Sequence, residues 1–288
     1  MAYYEFNLSS SLYHYTSIEA LKIIVTSGNM RLSRSDQTND PFEVVFVRDR
    51  ILESLRTLHG NATKRFESIF WKRCLDTYET VSDPRRFFLS CFSIRKDSLP
   101  MWRLYSQEGN GIVFGLRPRA FEGFDCRLTP VKYLPNVGSV TEHVQETVAR
   151  SVGETLPPEL NFSHVPFVLR LIEATVSTKQ SYWDYEQEYR LSFSMDDEQY
   201  ASIEDIVDPE TYRRMSAYHP TNPGLSDDKQ FLFQRYGFIK SNEIDRSRAI
   251  SELVLGPSCE WSEEDARVFL SEQGFVDFNV SRSNVTWR

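Results

Sequence analysis

No Cys-x-x-Cys pair occurs in the chain, whose four cysteines, Cys74, Cys91, Cys126 and Cys259, lie far apart. That spacing speaks against a zinc knuckle and a disulfide framework, and packing is the role expected of them. No apolar run approaches the roughly 18 residues of a membrane span. The opening Met-Ala-Tyr-Tyr-Glu-Phe has no basic stretch leading into an apolar one, so no membrane association and a cytoplasmic location are expected. Positive charge is short as well: 33 Lys and Arg against 41 Asp and Glu leave a net charge of -8. A general nucleic-acid coat is disfavoured, because phosphate contacts need a concentrated positive field. Only local basic spots remain, at Arg31 with Arg34, Arg85 with Arg86, and Arg117 with Arg119. Also absent are G-x-x-x-x-G-K-[ST], G-x-G-x-x-G after a strand, G-x-S-x-G and H-E-x-x-H, which leaves kinase, Rossmann, hydrolase and zincin readings without an anchor.

What is present is enough apolar material, 40% of 288 residues, to bury a full core without disulfides or metal. Residues 11–15 read as a short strand. Thr16-Ser17-Ile18-Glu19 then forms a capping box, and Ile18, Leu21, Ile24 and Val25 follow at helical spacing up to a stop at Gly28. A second strand is expected at 29–33, a loop to Pro41, and helix from Phe42 to about Tyr78 with a break at Gly60-Asn61. Strands are expected at 86–93, 110–116, 126–134 and 185–193, a short helix capped by Ser98 through Tyr105, and helix over most of 139–181. The last third reads as a helix near 209–217, a loop through Asp228, a strand at 250–255, a helix at 263–273 and a strand at 275–280. Strands and helices mix without strict alternation, so the expected class is α+β. The expected organisation is one domain over 1–288 with helical insertions near 42–82 and 139–181.

Four groups of residues could carry chemistry. His14 and Thr16 end the first strand, where an imidazole and a hydroxyl can hold a ligand, although a lone histidine is more often structural and Thr16 also serves as a helix cap. If 182–191 is extended, Glu186, Glu188 and Arg190 share one face, the carboxylates roughly 7 Å apart, while Tyr185, Tyr189 and Leu191 take the other. Such a pair could grip a sugar hydroxyl and stabilise an oxocarbenium-like centre, or be an exposed charged face. Asn39 and Asp40 precede Pro41, which structural capping alone would explain. Trp102 and Tyr105, three apart, could sandwich a planar ring or pack in the core, with Ser90 and Ser93 adding hydroxyls.

These pieces resemble a family of bacterial proteins of formerly undefined function whose members open with Leu-Tyr-His-Tyr-Thr-Ser. The matching segments are His14-Tyr15-Thr16, 28–33, Asn39-Asp40-Pro41-Phe42-Glu43, Cys91-Phe92-Ser93, Met101-Trp102 with Tyr105, 111–115, Trp183 with 185–190, and Leu253-Val254-Leu255-Gly256. More distantly, the opening resembles the first nicotinamide-side motif of ADP-ribosyltransferases, with Tyr15 where many of them carry glycine. That resemblance implies an ADP-ribosyltransferase-like split mixed or antiparallel sheet and NAD-dependent ADP-ribosyl transfer. It implies His14 on a ribose hydroxyl, Tyr15 and Thr16 flanking nicotinamide, and Trp102 or Tyr105 stacked on it. Glu188, with Glu186 in an E-x-E arrangement, would stabilise the anomeric cation, and Arg31 or Arg190 would neutralise the pyrophosphate or steady the carboxylate. Asn39, Asp40 and Ser93 are further expected contacts, and no metal is required. The implied setting is a toxin–antitoxin or anti-phage effector acting on RNA, DNA or protein, with an antitoxin as partner. An NAD glycohydrolase and a non-catalytic nucleotide-binding module stay open.

Overall fold

The computed structural model describes residues 10–38, 42–124, 126–155, 164–194, 224–225, 231–240 and 243–286. They form an α+β arrangement of two compact units, one of 1–33, 88–130 and 185–288, the other of 34–87 and 131–184. The second unit thus gathers both expected helical insertions around a core of its own.

The first unit is organised on a mixed sheet. Strand β1 (Leu12–Thr16) feeds helix α1 (Ile18–Ser27), which buries Ile18, Leu21, Ile24 and Val25 as their spacing predicts. Gly28 ends that helix at φ 72°, a left-handed conformation costly for any residue with a Cβ. The cap differs by one position from expectation. The Ser17 hydroxyl accepts from the Ala20 N–H, so Thr16 stays in β1 with its hydroxyl outside the cap.

Strands β2 (Asn29–Arg34), β3 (Phe87–Ser93) and β4 (Ile112–Leu116) follow, with helix α4 (Leu99–Tyr105) between the last two. The expected strand over 126–134 is two pieces, β5 (Arg127–Pro130) and β6 (Lys132–Leu134), broken at Val131. Strand β8 (Glu188–Ser194) begins later than expected, because Ser181–Glu186 is a 3-10 turn. Strands β9 (Gly224–Leu225), β10 (Phe231–Arg235), β11 (Phe238–Lys240), β12 (Glu243–Asp245) and β13 (Ile250–Leu255) follow. After them come helix α7 (Glu263–Glu272) and strand β14 (Asn279–Arg282). The expected helix at 209–217 and the loop through Asp228 lie outside the described residues.

Among the described residues the sheet runs β14-β13-β4-β1-β3-β2-β10-β9, with β8 joined to β3 off this path and β5 beyond β8. The sheet therefore branches at β3. Strand β1 pairs antiparallel with β3 and β4, β4 with β13, β10 with β2 and β9, and β5 with β8, while β13 and β14, joined by the α7 crossover, pair parallel. Strand β1 pairs along its length with β4 but meets β3 only at Tyr13 and Ser93. One face of β1 and β4 enters an apolar core through Leu12, Phe114 and Leu116, with α1 and α7 packed into the same core.

In the second unit α2 (Phe42–Asn61), α3 (Arg65–Val81), α5 (Val137–Thr155) and α6 (Val165–Ser177) enclose Ile51, Leu55, Cys74, Tyr78, Phe167 and Leu171. The Tyr78 hydroxyl bonds with that of Thr175 at 2.7 Å inside this core. Strand β7 (Thr178–Gln180) lies parallel to β6. No helix of the described residues is long and apolar enough to cross a membrane.

Candidate functional site

His14 sits where β1 and β3 part. Beyond the single pair Tyr13–Ser93, the backbone ladder between these strands ends, and the imidazole Nδ1 reaches the Cys91 carbonyl of β3 at 2.9 Å instead. A carbonyl can only accept, so Nδ1 carries the proton and Nε2 keeps its lone pair. The Phe92 and Phe114 rings each lie 5.5 Å from the imidazole. Desolvation first, and the nearby Arg31 charge after the opposing Cys91 bond, lower the His14 pKa to about 4. At neutral pH His14 is an uncharged acceptor. Arg31, exposed on β2, is within electrostatic reach of it.

Cys91, expected in packing, is the exposed cysteine of the four, while Cys74, Cys126 and Cys259 are buried. Its side chain lies within electrostatic range of the Tyr105 phenol. Tyr105, half-buried at the end of α4, donates to Glu186 Oε1 at 2.5 Å. Burial first, then the Glu186 charge and this bond, push the phenol far above its ordinary value and keep it protonated. His14 thus meets the Cys91 backbone on the face of β1 and β3 that carries Phe92 and Phe114, whereas Tyr105 belongs to the cluster with Tyr15 on the other face.

Glu186, Glu188 and Arg190 do not share one strand face. Glu186 closes the 3-10 turn, and Gln187 at φ 45° redirects the chain before β8 starts. Within β8, Leu191 enters the core with Tyr189 and Phe193 packed against it, so Glu188 and Arg190 take the opposite face. There Arg190 Nε donates to Glu188 Oε1 at 2.8 Å and Nη2 to Oε2 at 3.3 Å, both residues being almost wholly buried. A guanidinium fork on a carboxylate is the geometry that best compensates two buried charges.

Three expected ligand contacts are enclosed instead. Trp102 is fully buried, its ring edge-on to Tyr15 at 5.1 Å, so it packs in the core and offers no stacking face. The Tyr15 ring is buried too, and its hydroxyl donates to the Arg95 carbonyl and accepts from the Ser98 N–H. Ser93 is buried, its hydroxyl donating to the Glu186 carbonyl at 2.5 Å and accepting from the Arg95 N–H. That bond anchors the backbone that carries Glu186. Asn39 and Asp40 lie outside the described residues.

Sequence reasoning missed Cys91, treated as packing, and Asp97. Asp97 Oδ1 accepts from the Trp102 indole N–H at 2.7 Å; a carboxylate five residues before a tryptophan at a helix start is too common a pattern to signal this. Among the described residues no group of three or more His, Cys, Asp and Glu side chains is arranged to hold a metal ion. Compared with models of known families, with curated proteins and with solved structures, the chain matches none.

Proposed function

We propose that this protein cleaves NAD and transfers its ADP-ribose to a nucleic-acid or protein acceptor. One observation carries the reading: an uncharged imidazole at the parting of β1 and β3, its Nδ1 bonded to the Cys91 carbonyl and its lone pair on Nε2. Nε2 can accept from a ribose hydroxyl, and Arg31 nearby suits a pyrophosphate. The branching of the sheet at β3 also supports an ADP-ribosyltransferase-like fold.

In the proposed reaction the bond from the anomeric carbon to the nicotinamide nitrogen breaks, and nicotinamide leaves with the electron pair. Positive charge then grows on the ribose, and carboxylates held ready in a dry site oppose it most effectively. Glu188, steadied by Arg190, and Glu186, held by Tyr105, supply that negative field. An acceptor oxygen or nitrogen closes the new bond and gives up its proton. Tyr15, Ser93 and Trp102 support these groups from behind.

Incubation with NAD labelled in its adenosine half tests this. Nicotinamide release with label on a macromolecule is expected, both lost in Glu188→Gln. Free ADP-ribose with no labelled acceptor would make the protein an NAD glycohydrolase. Nicotinamide release unaffected by Glu188→Gln, or none from the wild type, would leave a nucleotide-binding module. Mass spectrometry of RNA, DNA and protein from expressing cells identifies the acceptor.

A further inference from the structure

We infer that Asp97 is a positioning residue, through which the segment Ser283–Val285 holds Trp102 and Tyr15 in place behind the site. The loop 94–98, which leads from β3 into α4, is tied from several directions. Asp97 Oδ1 accepts from the Trp102 indole and from the Ser283 hydroxyl at 2.5 Å, while Oδ2 accepts from the Asn284 N–H at 2.9 Å. Three neutral donors on one half-buried carboxylate satisfy most of its acceptor capacity without a cation, a directional arrangement rather than a diffuse ion pair.

The segment that supplies two of those donors is itself secured. The Ser283 N–H donates to Leu255 of β13, and the Val285 N–H returns to the Ser283 hydroxyl. Val285 then packs against the small cluster of Tyr15, Met101, Trp102, Val113 and Val254, which Tyr105 also joins. The Tyr15 hydroxyl bridges Arg95 and Ser98 on either side of Asp97. Tyr105, the donor to Glu186, stands on the same short helix as Trp102. Releasing Asp97 therefore loosens the indole, then the α4 register, and with it the phenol on Glu186. A displacement of about 1 Å at a reacting group can cost about a hundredfold in rate.

The positioning role rests on the proposed NAD chemistry; the mechanical coupling does not, and the test separates them. Hydrogen exchange over 95–105 and at the Trp102 indole N–H is compared in the wild type, Ser283→Ala, Asp97→Asn and a chain ending at Arg282. Nicotinamide release is measured beside it. Expected are roughly tenfold faster exchange in that segment with the exchange of α7 unchanged, and kcat lowered about tenfold with KM for NAD nearly constant. Unchanged exchange in the Arg282-terminated chain overturns the coupling whatever the activity. Faster exchange with unchanged kcat overturns the positioning role. Should the wild type release no nicotinamide, the NAD reading and the positioning role both fail, and exchange alone decides the coupling. Ser283→Ala removes one donor only and keeps the comparison readable if Asp97→Asn fails to fold.

Discussion

The Tyr105 phenol donates to the Glu186 carboxylate across 81 residues of sequence, at 2.5 Å. A hydrogen bond to a charged group contributes about 1.5–3 kcal/mol. Tyr105→Phe should lose that amount in chemical denaturation and slow nicotinamide release by about tenfold or more. The sign of its pH effect follows from the raised folded pKa. The unfolded phenol gives up its proton near pH 10 while the folded one keeps it, so the contribution is complete below about pH 10 and lost as pH rises beyond it. Part of the alkaline loss of stability in the wild type should be missing in Tyr105→Phe.

Glu188 and Arg190 compensate one another with 4% and 1% of their surfaces exposed. Removing one member of a buried ion pair takes this compensation from the other charge, which costs about 3–5 kcal/mol, whereas removing both members removes both charges. Arg190→Met should thus destabilise by that amount in urea unfolding, and Glu188→Gln with Arg190→Met by clearly less than the two single changes added together. Additive costs would mean that the two charges are independent.

His14 titrates in the folded protein at about 4, below its unfolded value near 6.5, with desolvation as the main cause. A depressed folded pKa means that the unfolded chain takes up the proton first. Stability is therefore complete above about pH 6.5 and declines as pH falls from there to about 4. For a half-buried ring the loss should be on the order of 1–2 kcal/mol. His14→Asn, which keeps a donor for the Cys91 carbonyl, should flatten that decline in denaturation midpoints measured between pH 7 and 4. If the slope is identical in both proteins, the imidazole is not desolvated.

Local patterns made α1 legible, since Ile18, Leu21, Ile24, Val25 and Gly28 each follow from a 3.6-residue period and a left-handed stop. The same logic failed at the cap by one residue, because Thr16 and Ser17 both carry a hydroxyl and only β1 pairing through Thr16 decides between them. It failed more deeply at Glu186. Alternation assumes an extended chain, and the positive φ of Gln187 ends it with a residue that announces no turn. Trp102 and Tyr105 do lie near one another, as their spacing predicts, yet spacing is silent on whether that face looks inward. The Asp97 contact with Ser283 joins residues 186 positions apart, beyond any local rule.

Cys91 offers the most direct chemical test of the site. Thiols react as thiolates, and burial both hides them and disfavours ionisation. Burial pushes Cys74 up to about 12 and raises Cys259, while Cys126 is buried as well. Cys91 is exposed, beside the parting of β1 and β3. A thiol reagent added to the native protein should consume about one equivalent quickly, with the remaining cysteines reacting only on unfolding. That fast phase should vanish in Cys91→Ser. If NAD binds beside Cys91, saturating NAD should slow the fast phase several-fold in proportion to occupancy. A rate unaffected by NAD at concentrations that support turnover would exclude Cys91 from the binding cleft and move the nucleotide elsewhere on this unit.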